Sequence, residues 1–203
     1  MSYQICVSGA ARGVSVEEGR KMAYRVGQEI ARSGHMLLTG ATTGLPDYAA
    51  VGAKAEGGQS VGISPAASKI EHVKKYRLPT DCYDVILYTG LHYVGRDALL
   101  VASSDAVISI GGRLGTLHEF TIAMEMRKPV GFLMGAGGVS TEIRDILKAA
   151  GHERASTVVF DDDPMALMKR IDGMLDALYK GNAKIFQKAA KCTVREEIFA
   201  SGS

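Results

Sequence analysis

The sequence predicts an α/β fold, a doubly wound parallel sheet with helices on both faces. Three observations predict it. Short apolar runs alternate with helical patterns along most of the 203 residues. The runs are continuously apolar rather than alternating, as strands buried on both faces require. Small-residue loops follow the first, second and fifth runs, at the carboxyl edge where such sheets bind ligands. No internal repeat or linker is visible, so residues 1–203 read as one domain, with a mobile tail expected from about residue 192.

The elements follow in order. Gln4 to Ser8 is the first strand, and Gly9-Ala10-Ala11-Arg12-Gly13 is the loop after it. Ser15 and Glu18 stand at capping-box spacing. The first helix runs to about Ser33, with Met22, Val26 and Ile30 on one stripe, and Gly34 closes it. Met36 to Thr39 is the second strand. The loop Gly40-Ala41-Thr42-Thr43-Gly44 leads to a helix from about Pro46 to Ala55, ended by Gly57-Gly58. Ser60 to Ser64 is the third strand, stopped by Pro65. One irregular helix is expected between Ser68 and Pro79. Val85 to Tyr88 is the fourth strand, and His92 to Ser103 is a helix containing Arg96. Ala106 to Ile110 is the central strand. Gly111 and Gly112 turn the chain into a helix from about Gly115, with Leu117, Phe120, Ala123 and Met124 at helical spacing. Val130 to Met134 is the sixth strand, followed by the Gly135-Ala136-Gly137-Gly138 loop and a helix from Thr141 to Ala150. Val158 to Phe160 is the last strand. Asp163 and Pro164 open an amphipathic helix carrying Leu167, Met168, Ile171, Leu175 and Leu178. From Gly181 the pattern is partly helical and then polar.

Composition narrows the function. Hydrophobic residues make up 46% and charged residues 23%, which is enough for an ordinary core and excludes a disordered chain. A net charge of +2 and an aromatic content of 6% without Trp argue against nucleic acid as a partner. Cys6, Cys82 and Cys192 form neither a disulfide framework nor a zinc pattern. A cytoplasmic, reducing compartment is expected, with no signal peptide and no membrane partner. No apolar stretch reaches the roughly 20 residues of a membrane span.

The segment Ile108 to Glu119 is the centre of the chemistry. A buried strand, a glycine turn and a helix start bring free backbone N–H groups and a positive helix end to one point, which suits phosphate. Glu119 lies one turn further along. Thr116-x-x-Glu119 also has the spacing of a plain capping box, in which Glu119 would do no chemistry. A dinucleotide dehydrogenase is excluded, because the first loop lacks the middle glycine and the second strand ends in Thr39-Gly40 rather than an acid. No P-loop occurs. Asp161-Asp162-Asp163 reads as a strand end and helix cap rather than a metal site.

Gly111-Gly112-x-x-Gly115-Thr116-x-x-Glu119 resembles the G-G-x-x-G-T-x-x-E signature of the LOG family, lysine-decarboxylase-like proteins within the wider SLOG, Rossmann-like superfamily. Gly57, Gly58, Gly62 and Pro65 resemble the family's G-G-x-x-x-G-x-x-P segment. Arg96 stands ahead of Ser104-Asp105-Ala106 where the family has an arginine, and Lys128-Pro129-Val130 is similar to its K-P-V. The match runs from about Gln4 to Gly135. The resemblance implies a phosphoribohydrolase that cleaves a nucleoside 5′-monophosphate to free base and ribose 5-phosphate. It implies catalysis by Arg96 and Glu119 and phosphate held by Gly111, Gly112, Gly115 and Thr116. It also implies no PLP and a homodimer or higher homo-oligomer with the pocket near the subunit interface.

The other loop positions at the same edge, Gly9, Arg12, Gly40, Thr43, Gly44 and Asp47, are candidate nucleotide contacts. The chemistry is consistent: a carboxylate beside the anomeric carbon stabilises the charge that develops as the ribosyl–base bond breaks. The helix N-terminus is expected to keep Glu119 ionised. No metal or cofactor is required. Ile110 replaces the family's proline and Asp97 its lysine. Asp97 is placed to pair with Arg96. The second loop, Thr39 to Asp47, also departs from the family's G-G-G-x-x-G-L-M-G. These departures favour an alternative on the same fold: a non-catalytic carrier or sensor of a phosphorylated or nucleotide-derived ligand, like the molybdenum-cofactor carriers.

Overall fold

The computed structural model describes residues 1–181. The tail expected to be mobile from about residue 192 lies outside the described residues.

Seven strands form one parallel sheet: β1 (Gln4–Gly9), β2 (Met36–Thr39), β3 (Ser60–Ser64), β4 (Val85–Tyr88), β5 (Ala106–Ile110), β6 (Val130–Leu133) and β7 (Val158–Asp161). Their spatial order is β4-β3-β2-β1-β5-β6-β7. All pairs are parallel, and β1 and β5 lie side by side, with Ser8 opposite Ser109 and Gly9 opposite Ile110. From β1 the chain steps one way to β4 and then returns to build β5 to β7 on the other side. The switch point is therefore between β1 and β5, and the loops leaving these two strands diverge and open a crevice.

The helices are α1 (Val14–Arg32), α2 (Leu45–Ala55), α3 (Lys69–Lys74), α4 (His92–Ala102), α5 (Leu114–Glu125), α6 (Ile143–Ala149) and α7 (Pro164–Lys180). Two cores cover the two faces of the sheet. On one face Ile5, Val7, Ile108 and Ile110 meet Val26 and Ile30 of α1, Leu45 and Ala49 of α2, and Leu167 and Ile171 of α7. On the other, Cys6 and Val107 meet Leu100 of α4, Phe120 of α5 and Ile143 of α6. Successive strand residues thus serve opposite faces, and both faces are apolar because both are roofed. Among the described residues no helix is long and apolar enough to cross a membrane.

Several local expectations change. α1 begins at Val14 with Gly13 as its N-cap and no side-chain cap, so the Ser15–Glu18 capping box does not form. Gly13 adopts φ 93°, and the space a Cβ would need there holds the Arg113 guanidinium. The loop therefore enters the helix two residues early. The expected helix from Thr141 is a 3-10 turn over Gly138–Thr141 followed by the shorter α6. The irregular stretch before Pro79 contains only the six-residue α3, capped by Ser68. Asp163 caps α7 as expected, accepting from the Ala166 N–H at 2.8 Å. Among the described residues no group of three or more His, Cys, Asp or Glu side chains is placed to hold a metal ion.

Candidate functional site

The crevice at the β1/β5 switch point is a cleft of about 270 Å³. Its floor is the end of β1. One wall is the start of α5 and the other is α4 together with the second loop. Ser8, Gly9, Arg12, Gly40, Arg96, Gly115, Thr116 and Glu119 all line it.

Loops one and two are tied together before they meet any ligand. The Leu45 N–H donates to the Ala10 carbonyl at 2.9 Å, and the Thr43 hydroxyl donates to the Ala11 carbonyl at 3.3 Å. Gly44, at φ 85°, passes so close to Ala10 and Ala11 that no side chain fits. Thr43 and Gly44 thus brace the first loop rather than line the cleft. Asp47 sits half-buried in the first turn of α2 and does not line it either; burial pushes its carboxyl above the ordinary range. Its neighbour Pro46 does line the cleft.

The Gly111-Gly112 pair is buried beneath the turn and does not face the cleft. Gly112 adopts φ 93°, and the Thr116 side chain fills the position its Cβ would take, so only glycine fits there. Its carbonyl accepts from the Val139 N–H at 2.9 Å, and the Gly111 carbonyl accepts from the Ser140 hydroxyl at 2.7 Å. The pair shapes the turn. The surface it presents to the cleft is Gly115 and Thr116, and a Cβ on Gly115 would meet only open space. These residues lie in the first turn of α5, where unpaired N–H groups and the helix dipole favour an anion.

The helix begins at Leu114, so Thr116 and Glu119 are both inside it and the capping-box alternative does not form. Glu119 points instead across the cleft floor, where the Ser8 hydroxyl donates to its Oε2. Ser8 reaches it because Ser8 shares a sheet face with Cys6, the face that α5 covers. The expectation of a permanently ionised Glu119 is corrected. Burial first, and then the charge of Asp97, push its carboxyl up to about 7, against the opposing pull of Arg96, the Ser8 hydrogen bond and His118. Desolvation outweighs the helix end because the side chain is 8% exposed and lies a turn and a half inside the helix.

Arg96 is 4% exposed, which excludes an ordinary surface arginine. Its guanidinium passes over Gly40, where a Cβ would fall directly on it, and stands 5.9 Å from the Tyr93 ring. Gly40 is thus required for the position of Arg96. The Arg96 Nε lies 3.4 Å from Asp97 Oδ1 but has no hydrogen-bond partner among the described residues. Asp97 also accepts from the His118 ring, with 2.9 Å between Oδ2 and Nδ1.

Arg12 and Arg113 are both exposed at the mouth. The cleft is therefore lined by three guanidiniums and one carboxyl whose charged form burial disfavours, a strong preference for anions. Sequence reasoning missed Ser8, Thr42, Pro46, Tyr93 and Arg113. Tyr93 stands one helical turn before Arg96, a spacing that could have marked it, and Arg113 occupies a variable position of the glycine motif.

The pattern of the SLOG cluster4 family matches residues 2–168. An uncharacterised protein of Archaeoglobus fulgidus is 40% identical over 130 residues, which are 64% of this chain and 79% of that protein. Among solved structures, the molybdenum cofactor binding protein of the phototrophic bacterium Rippkaea orientalis is 29% identical with a TM-score of 0.68, covering 86% of this chain and 98% of its own. The molybdenum cofactor carrier protein of Chlamydomonas reinhardtii is 27% identical with a TM-score of 0.71, covering 86% and 99%. The shared architecture is the Rossmann-like SLOG fold of nucleotide-binding proteins.

Proposed function

The chain belongs to the SLOG cluster4 family, and from that premise we propose that its cleft binds a phosphorylated, nucleotide-derived small molecule, which the protein carries or senses. One observation carries this reading: Arg96 is buried and lines the cleft with its guanidinium over Gly40, and its Nε, 3.4 Å from the Asp97 carboxylate, has no hydrogen-bond acceptor among the described residues. A buried guanidinium left this way is costly unless a ligand oxygen completes it. Gly115 and Thr116 offer backbone donors to the same anion, and Arg12 and Arg113 close over it from the mouth. The similarity to the cofactor-binding protein of R. orientalis supports a binding role and that to the carrier protein of C. reinhardtii a carrier role, with the molybdenum cofactor as a candidate cargo.

A second reading, hydrolysis of a nucleoside 5′-monophosphate to free base and ribose 5-phosphate, rests on Glu119. A carboxyl that titrates near 7 in a cleft is suited to protonate a leaving base as a general acid. In this reading Arg96 holds the phosphate and Glu119 supplies the proton.

Calorimetric titration with inorganic phosphate and a panel of nucleoside 5′-monophosphates, followed by chromatography for released base, separates the readings. Saturable binding that falls about 100-fold in Arg96→Ala, with no base released, supports the carrier. Base release abolished in Glu119→Ala supports the hydrolase. Unchanged binding in Arg96→Ala overturns both.

The partner is a second copy of the chain. β4 is an edge strand, and α4, which follows it, crosses over to β5 and leaves one face of β4 bare. Val85 and Leu87 share the face of Val61 and Ile63 yet are exposed. Leu91, Tyr93 and Val94 at the start of α4 extend the apolar surface, and Tyr93 also lines the cleft. A patch of this kind on an edge strand is stable in water when it is covered. Leu87→Glu is expected to convert an oligomer to a monomer in light scattering; an unchanged mass would place the interface elsewhere.

A further inference from the structure

Two buried, oppositely charged side chains share the cleft without pairing. Arg96 and Glu119 both line it, yet the ion pair that Arg96 makes is with Asp97. Asp97 itself lies behind the cleft wall, 5% exposed on α4, and does not touch the cavity. The His118 ring, on α5, holds its second oxygen. Asp97 is therefore fixed from one helix while it draws on the Nε edge of Arg96 from the other. The terminal nitrogens of Arg96 are left over Gly40, facing the cleft.

We propose that Asp97, tethered by His118, is a positioning residue that keeps Arg96 off Glu119 and so keeps the anion site open. The inference rests on the anion-binding reading of the cleft. Buried opposite charges that line one cleft attract, and without a competing acid the guanidinium swings onto the glutamate. The cleft would then hold its own internal ion pair in place of a ligand phosphate. Asp97 acts on both partners: it detains Arg96, and its negative charge keeps the Glu119 proton in place. The other groups around Glu119 are Ser8 and Cys6 from β1, Arg96 from α4 and His118 from its own helix, with Arg12 and Arg113 at the mouth. None of these is placed to take over the role, because Asp97 is the one acid among them besides Glu119 itself.

The test uses sulfate, a tetrahedral anion whose charge is constant between pH 5 and 9. Its affinity is measured by titration calorimetry for the wild type, Asp97→Asn, Glu119→Gln and the double variant. Asp97→Asn is expected to bind sulfate at least about tenfold more weakly at pH 6. Adding Glu119→Gln is expected to restore binding, because Arg96 then has no acid to fall onto. A purely structural role for Asp97 predicts no rescue, and a double variant as weak as Asp97→Asn overturns the proposal. Should Asp97→Asn fail to fold, His118→Ala releases the same tether and is expected to weaken binding in the same direction, again rescued by Glu119→Gln. Carboxyl 13C titration of the free protein reads the coupling without any anion. Glu119 is expected to titrate near 7 in the wild type and more than about one pH unit lower in Asp97→Asn. An unmoved Glu119 overturns the inference, whereas a wild type that binds no sulfate but shows this shift counts against the anion-site reading alone.

Discussion

Glu119→Gln is expected to raise the melting temperature at pH 8 and to leave it nearly unchanged at pH 4.5. The carboxyl titrates near 7 in the fold, against about 4.5 for an unburied glutamate. Below pH 4.5 both the native and the unfolded chain hold the proton, so there is no penalty. As pH rises from 4.5 to 7, the unfolded chain releases its proton while the native protein retains it, and stability falls. Above 7 the penalty is complete, at about 3 kcal/mol. Glutamine has the same shape, keeps an oxygen for the Ser8 hydroxyl and never ionises. For a chain of this size the gain corresponds to a melting temperature higher by about 8 °C. Differential scanning calorimetry from pH 4.5 to 8 in a phosphate-free buffer checks it. A difference that does not depend on pH would mean that Glu119 is ionised throughout, and the general-acid reading would go with it.

Gly27→Ala is expected to destabilise the protein by about 3 kcal/mol, although helix propensity alone points the other way. Gly27 is in the middle of α1, where alanine is worth about 1 kcal/mol more than glycine. The structure reverses the sign. α1 and α2 cross with their backbones in contact, so a Cβ on Gly27 would fall on the Ala49 carbonyl, and one on Gly52 would fall on the Tyr24 carbonyl. Backbone atoms cannot rotate aside as a side chain can, so the helices must separate. The loops that form the cleft run directly into the first turns of these helices. A lower urea midpoint with an unchanged slope is the expected result. A midpoint equal to or above that of the wild type would show that the helices part freely.

These two residues mark where the sequence stops. The alternation of apolar runs and helical stripes determined the sheet, its parallel sense and the edge at which ligands bind, because burying both faces of a sheet requires that pattern whatever the packing details. The glycine turn, Thr116 and Glu119 were legible because a strand, a turn and a helix start follow one another in sequence. So were Arg96 and its neighbour Asp97, through the resemblance to a known family. Gly27 could be seen only as a weak point in a helix, since nothing in α1 announces that α2 will lie against it.

The tertiary structure alone decided the rest. It turned Glu119 toward Ser8, which is 111 residues away in sequence, and so chose the cleft over the capping box. It raised the Glu119 carboxyl by burial, against the helix end from which the opposite was expected. It placed Arg113 and Tyr93 on the cleft, moved Gly111, Gly112, Thr43, Gly44 and Asp47 off its lining, and set His118 against Asp97. The physical reason is common to all of these. Periodicity and local motifs record what a segment does with its own neighbours in sequence, whereas desolvation, close approach and charge pairing depend on which distant segments the fold brings within a few ångströms.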